Sequence, residues 1–206
     1  MNIGIIGSGN IGATSAKLFA RAGHEVAVSN SRGPESLRDL SDEAGANVRA
    51  ATVEEATDFG DVILVAIPFF ARDTLPAENL NDKVVIDATN YYPGRDGEVD
   101  FAGMTSSELL AHGIPGARLV KSFNTMYYET LATGGRAEDG DRLVLFVAGD
   151  DEEVKATVSG LIEEIGFAPV DTGSLRDGGR KQQPGSPIYN NPMAEDQAHE
   201  ALAEIE

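Results

Sequence analysis

The chain of 206 residues contains no cysteine. Disulfides, thiolate nucleophiles and zinc–sulfur centres are thereby excluded. Long apolar runs are missing as well: the longest, residues 62–71, is too short to cross a bilayer as a helix. Positive charge is scarce. Sixteen basic residues, five of them lysine, stand against 34 acidic ones, a formal net charge of −18. That balance argues against nucleic acid or an anionic membrane as a partner. It describes a solvated acidic surface of the kind that suits a salt-loving organism, where salt screens the self-repulsion. It also makes each local cation informative, because an anionic ligand must overcome the field of the whole chain. No His/Asp/Glu spacing suggests a metal site, and no Ser/His/Asp set presents itself. The three histidines, His24, His112 and His199, fall in a turn, after a helical segment and in an acidic tail, and none is a persuasive catalytic group.

Hydrophobic residues make up 41% of the chain, enough for a sizeable core. Ile3, Ile5 and Ile6 already read as a buried strand, so no leader is expected and a cytoplasmic location is. Strand-like and helix-like stretches alternate from there on. Strands are expected at residues 3–6, 25–29, 48–50, 61–67, 83–87, 118–122, 143–148 and 168–171. Helices are expected at residues 10–22, 34–44, 53–57, 126–131 and 151–165. This is βαβ alternation, and it predicts an α/β fold: a Rossmann-type, doubly wound, mostly parallel sheet with helices on both faces. From residue 172 the composition shifts to Gly, Pro, Gln and Asn. A loop over 173–192 and a short acidic helix over 193–205 are expected there, an appendage of the same domain (172–206) on a nucleotide-binding body (1–171). No second domain for a substrate is expected within these residues. The acceptor must then lie against the nucleotide-binding body itself, in a pocket completed by loops or by a second subunit, and an open sheet of this kind is compatible with a homodimer.

Two segments carry the chemistry. Gly7-Ser8-Gly9-Asn10-Ile11-Gly12 follows a strand at once and opens a helix, the context in which a glycine pattern means a dinucleotide. Gly7 serves the tight turn, Gly9 lets a pyrophosphate approach the backbone, and Gly12 lets helix and strand pack closely. The N–H groups around Asn10 and Ile11 would then receive the pyrophosphate. About 20 residues on, Ser29-Asn30-Ser31-Arg32 stands where a carboxylate would bind the ribose hydroxyl of NAD. An amide (Asn30), a hydroxyl (Ser31) and a guanidinium (Arg32) instead suit the 2′-phosphate of NADP, with no acid between Val26 and Pro34. Further strands end in Ala66-Ile67-Pro68-Phe69, Asp87-Ala88-Thr89-Asn90 and Lys121-Ser122-Phe123-Asn124-Thr125, all facing the crevice at the carboxyl ends of the sheet. Pro68 either exposes an apolar edge or merely stops its strand. Asn124 either holds an amide of the ligand or caps the helix expected at 126–131.

With these segments in place the sequence resembles the NADP oxidoreductases that use the deazaflavin coenzyme F420, and it is similar to the nucleotide-binding domain of the STEAP metalloreductases. The resemblance covers residues 1 to about 171 and rests on the glycine turn, Ser29–Arg32, Val65-Ala66-Ile67-Pro68, Asp87–Asn90 and Lys121–Thr125. It implies hydride transfer between nicotinamide and deazaflavin. It further implies that Ser8, Asn10 and Ile11 hold the pyrophosphate, Ser31 and Arg32 the 2′-phosphate, and that Pro68, Asn90 and Asn124 flank the nicotinamide. Two other readings stay open: an NADPH-dependent flavin reductase passing electrons on to metal or quinone, and a non-catalytic NADP(H)-sensing module.

Overall fold

Val62, Ile63, Leu64 and Val65 show why the sheet forms where it does. Val62 and Leu64 enter one apolar cluster, which also holds Phe19, Val158 and Leu161, while Ile63 and Val65 enter another with Leu80, Leu110 and Ile114. A strand buried on both faces needs an unbroken apolar run of this kind, and successive side chains then divide between two cores. The computed structural model describes residues 1–136 and 141–205.

Eight described strands form one sheet: β1 (Asn2–Ile6), β2 (Glu25–Ser29), β3 (Val48–Ala51), β4 (Val62–Val65), β5 (Val84–Asp87), β6 (Arg118–Lys121), β7 (Val144–Gly149) and β8 (Ala168–Gly173). Their order is β3-β2-β1-β4-β5-β6-β7-β8. Neighbours run parallel except β6 and β7, which pair antiparallel through Val120–Gly149 and Lys121–Ala148. The chain winds outward from β1 in one direction through β2 and in the other through β4. A crevice opens at that reversal, beyond the carboxyl ends of the strands.

The helices are α1 (Asn10–Arg21), α2 (Arg38–Ala44), α3 (Val53–Phe59), α4 (Pro93–Asp96), α5 (Ser106–Gly113), α6 (Tyr128–Leu131), α7 (Glu152–Glu164), α8 (Asp177–Lys181) and α9 (Glu195–Ala203). Local chemistry fixes three of their starts. Thr52 with Glu55, and Thr105 with Glu108, form reciprocal capping boxes on α3 and α5, and Asp151 accepts from the Glu153 and Val154 N–H groups on α7. None of the described helices is long and apolar enough to cross a membrane.

Four segments differ from the expectation. Residues 34–44 do not form one helix: a 3-10 turn, Pro34–Leu37, precedes α2, with the Ser36 hydroxyl bonded back to the Gly33 carbonyl at 2.8 Å. Residues 173–192 are not a plain loop. Strand β8 extends to Gly173, and α8 follows within residues whose glycines argue against a helix. Gly178 is there for close packing, since a Cβ on it would stand 2.7 Å from the Thr172 hydroxyl. The helix expected at 126–131 begins only at Tyr128. The acidic helix is shorter than 193–205, because Met193 is drawn into the sheet edge: its carbonyl accepts from Val144 N–H at 3.0 Å. Ile188, Met193 and Ala198 then pack on Phe146 and Val170, which ties the tail to the sheet.

Candidate functional site

The glycine turn puts its three glycines to different uses. Gly7 adopts φ +109°, which L side chains avoid, and a Cβ there would meet the Ala66 carbonyl oxygen at 2.3 Å. Gly12 lies so close beneath the turn that a Cβ would stand 1.9 Å from the Gly7 carbonyl oxygen. Gly9 is different: it has ordinary φ, is exposed, and a Cβ would meet nothing within 4 Å. It caps α1 without any side-chain hydrogen bond, so the first-turn N–H groups of a 12-residue helix face open space. Such groups, with the helix dipole behind them, make a receptor for an anion.

At the end of β2 the side chain of Asn30 is a hub. Its amide nitrogen donates to Ser8 Oγ (3.0 Å) and Ser36 Oγ (3.0 Å), and its oxygen accepts from the Arg32 backbone N–H at 2.8 Å. The glycine turn and the Ser31–Arg32 tip are thereby locked together. Ser31 and Arg32 are exposed, and the Arg32 guanidinium has no hydrogen-bond or ion-pair partner among the described residues. Its neighbour Arg38, in contrast, is neutralised by Glu35.

A cleft of about 390 Å³ opens from Gly9, Asn10 and Ile11 across the carboxyl ends of β1, β4, β5 and β6. Ala66, Ile67, Pro68 and Met126 give it apolar walls, and Asn90 and Asn124 a polar one. The two asparagines hold each other: Asn90 Nδ2 donates to the Asn124 carbonyl (2.8 Å), and Asn124 Nδ2 donates to Asn90 Oδ1 (3.1 Å) and to the Gln182 carbonyl (2.8 Å). Asn124 therefore braces the cleft against the tail and caps no helix; α6 starts four residues on with no side-chain cap. Beneath this pair Lys121 and Asp87 form an ion pair at 3.5 Å with both side chains buried. Lys121 also donates to the Thr89 carbonyl, and Asp87 accepts from Ser107 Oγ (2.6 Å) and Thr89 N–H (2.8 Å). The ends of β5 and β6 are thus fastened from below.

The far end of the cleft is made of tyrosines that the sequence reading missed. Tyr92, Tyr127, Tyr128 and Tyr189, four of the five in the chain, line it. Tyr189 comes from the tail; its hydroxyl meets that of Tyr92 and receives a hydrogen bond from Asn90 Nδ2 at 3.3 Å. Burial, and then the Tyr92 hydroxyl, push the Tyr189 phenol above its usual range, so it keeps its proton. Asn190 is pinned beside it, its N–H bonded to the Thr125 carbonyl at 2.7 Å. Arg95, on α4, also lines the cleft; it lies 4.9 Å from the centre of the Tyr92 ring and donates to the Asn90 carbonyl at 2.6 Å. Asp96 holds that short helix in place. Burial alone would raise its carboxyl, but hydrogen bonds from Arg95 and the Tyr92 backbone outweigh burial and hold it below the usual carboxylate range. The signal available in the sequence was the crowding of all five tyrosines into residues 91–92, 127–128 and 189.

The cleft brings together Gly9, Asn10, Ile11, Ile67, Pro68, Asn90 and Asn124. Gly7 and Gly12 lie beneath it as packing positions, and Ser8, Asn30, Ser31 and Arg32 flank it past β2. None of the three histidines lines it; His24 is buried with its ring nitrogen 2.8 Å from Glu164.

The chain is similar to known proteins over most of its length. The family "NADP oxidoreductase coenzyme F420-dependent" matches residues 2–91. The metalloreductase STEAP3 of Rattus norvegicus is 32% identical over 175 residues, 84% of this chain but only 34% of its own length. The chain thus spans about a third of that curated relative. Among solved structures, a hypothetical protein from Sinorhizobium meliloti is 33% identical with a TM-score of 0.84, covering 95% of this chain and 96% of its own. A protein of Arthrobacter sp. FB24, provisionally assigned as an F420-dependent NADP-reductase, is 26% identical with a TM-score of 0.72, covering 85% and 86%.

Proposed function

We propose that the chain, whose residues 2–91 match the coenzyme F420-dependent NADP oxidoreductase family, passes hydride between the nicotinamide of NADP(H) and a deazaflavin of the coenzyme F420 type. The observation that carries the reading is the contrast among the glycines: Gly7 and Gly12 are filled by the protein itself, while Gly9 leaves open space at an uncapped helix start. That space fits a pyrophosphate, received by the N–H groups of Asn10 and Ile11, with Ser8 beside them. Ser31 and the unpaired Arg32 hold the 2′-phosphate, and Asn30 positions them. A charge-assisted hydrogen bond of this kind contributes about 1.5–3 kcal/mol, about 10- to 150-fold in affinity.

Bound NADP(H) supplies the hydride at its nicotinamide ring. The chain's residues hold and align. Ile67, Pro68 and Met126 present an apolar surface that excludes water from the nicotinamide side. Asn90 and Asn124, immobilised by each other and by Gln182, offer a fixed polar edge. Hydride transfer between two rings asks chiefly for proximity and alignment in a dry cleft, and no general base is required. That suits a site in which Tyr92, Tyr189 and Arg95 act by hydrogen bonding.

Anaerobic mixing of the protein with NADPH and coenzyme F420 tests the reading. It predicts loss of the deazaflavin's visible absorbance with matching oxidation of NADPH. No spectral change on either side of neutral pH would contradict it, and activity with FMN alone would favour the flavin reductase.

A further inference from the structure

Among the described residues four that are not glycine have a left-handed backbone: Asp82, Ala102, Phe123 and Asn190. Three of them are exposed, whereas Phe123 is fully buried. Its φ is +64°, a conformation that is costly for an aromatic residue and persists only where the surroundings impose it. The residue stands just past the end of β6 and immediately before Asn124. Side-chain alternation shows what it does. Along β6, Leu119 enters one apolar cluster and Val120 the other. An extended continuation would send Phe123 to the side of Leu119. It lies instead in the cluster of Val120, with its ring 5.8 Å from that of Phe19. The chain is turned over at this residue, and Asn124 is turned with it. Phe123 does not line the cleft, but Asn124 does. Asn124 Nδ2 is committed to Asn90 and to the Gln182 carbonyl, while its Oδ1 is buried with no partner among the described residues. That oxygen is an acceptor left for an N–H donor.

We propose that Phe123 is a positioning residue: its left-handed turn, held by the packing of its ring on Phe19, sets the Asn124 side chain against the nicotinamide end of the dinucleotide. The inference rests on the reading that the cleft holds NADP(H). Phe19 belongs to α1, the helix whose uncapped first turn faces the open space at Gly9. One rigid helix thus carries both the receptor for the pyrophosphate and the surface on which the Phe123 ring is seated. The distance from the pyrophosphate to Asn124 Oδ1, to which a nicotinamide carboxamide can donate, is then set by the core and not by the ligand. The same turn aims the Thr125 carbonyl at the tail, where it accepts from Asn190 N–H at 2.7 Å. What Phe123 governs is therefore selective. It sets the nicotinamide end and leaves the adenosine end, built by Ser8, Asn30 and Arg32, untouched.

Titration with NADPH and with 2′-phospho-ADP-ribose, which keeps both phosphate groups but lacks the nicotinamide, tests this without turnover. Phe123→Gly permits the left-handed turn but no longer holds it. It is expected to weaken NADPH about three- to tenfold, the worth of one hydrogen bond, and the fragment less than twofold. Asn124→Ala should do the same, and the double variant should bind NADPH no more weakly than Asn124→Ala alone, because Phe123 acts through Asn124. In denaturation Phe123→Gly should be at least as stable as Phe123→Ala, since glycine takes this φ freely and alanine does not. If Phe123→Gly does not fold, Phe19→Leu, which removes only the ring contact, replaces it in the same titrations. The inference is overturned if the wild type binds the fragment as tightly as NADPH, or if the variant weakens both alike or neither. Additive losses in the double variant, or a more stable Phe123→Ala, would overturn it as well. A wild type that binds neither NADPH nor the fragment would refute the function proposed above and this inference with it, whereas normal wild-type binding with any of the failures just named refutes this inference alone.

Discussion

Gly9, Asn10 and Ile11 present backbone to the cleft from a single turn, whereas Tyr92, Tyr128 and Tyr189 reach it from segments as much as 97 residues apart. One end of the cleft is a local structure whose geometry follows from a strand, a glycine turn and a helix. The other exists only after the tail has docked, through Asn190 on Thr125 and Gln182 on Asn124. The difference separates two kinds of recognition. On the function proposed above, backbone N–H groups bind what all dinucleotides share, while side chains gathered from distant segments choose the second substrate. The match of the family to residues 2–91 stops where the second kind begins.

Four substitutions would break or sharpen that contrast. Lys121→Met should cost the most, about 3–5 kcal/mol of stability, because it leaves the Asp87 carboxylate buried and without its cation beneath the Asn90–Asn124 pair. Chemical denaturation reads it out, and a loss below about 1 kcal/mol would mean that the ion pair is not the floor described here. Gly9→Val should weaken NADPH and NADH alike by about a hundredfold, close to 3 kcal/mol, with the melting temperature unchanged, since its side chain enters only open space. A variant that binds both cofactors normally would show that the space does not hold the pyrophosphate. Arg32→Ala should weaken NADPH at least tenfold and leave NADH nearly unchanged. Equal losses for both would show that the guanidinium does not read the phosphate. Tyr189→Phe should raise the acceptor KM about three- to tenfold, through the loss of its hydroxyl contacts with Tyr92 and Asn90, while NADPH affinity moves less than twofold. A change in NADPH affinity as large as the change in acceptor KM would erase the distinction between the two ends.

The same contrast explains what could be read in advance. The doubly wound sheet was legible because each buried strand carries its own apolar run, as residues 62–65 do, and each turn its own glycine or cap. The glycine turn and the segment Asn30–Arg32 were legible because the chemistry lies within a few neighbouring residues. Asn124 was ambiguous for a physical reason: cap and brace use the same amide, and only the position of Gln182, 58 residues on, decides between them. Helix α8 was hidden because Gly178 and Gly179 lower helix propensity, and their packing on Thr172 and Lys121 is tertiary information. The tyrosine wall was hidden too, since no local pattern connects Tyr92 with Tyr189.

Titration of the wild-type protein with NADPH and with NADH, under identical salt, tests the central claim most directly. The account predicts NADPH bound at least tenfold more tightly, about 1.4 kcal/mol or more, through Ser31 and Arg32. Equal affinities, or no binding of either dinucleotide, would contradict it.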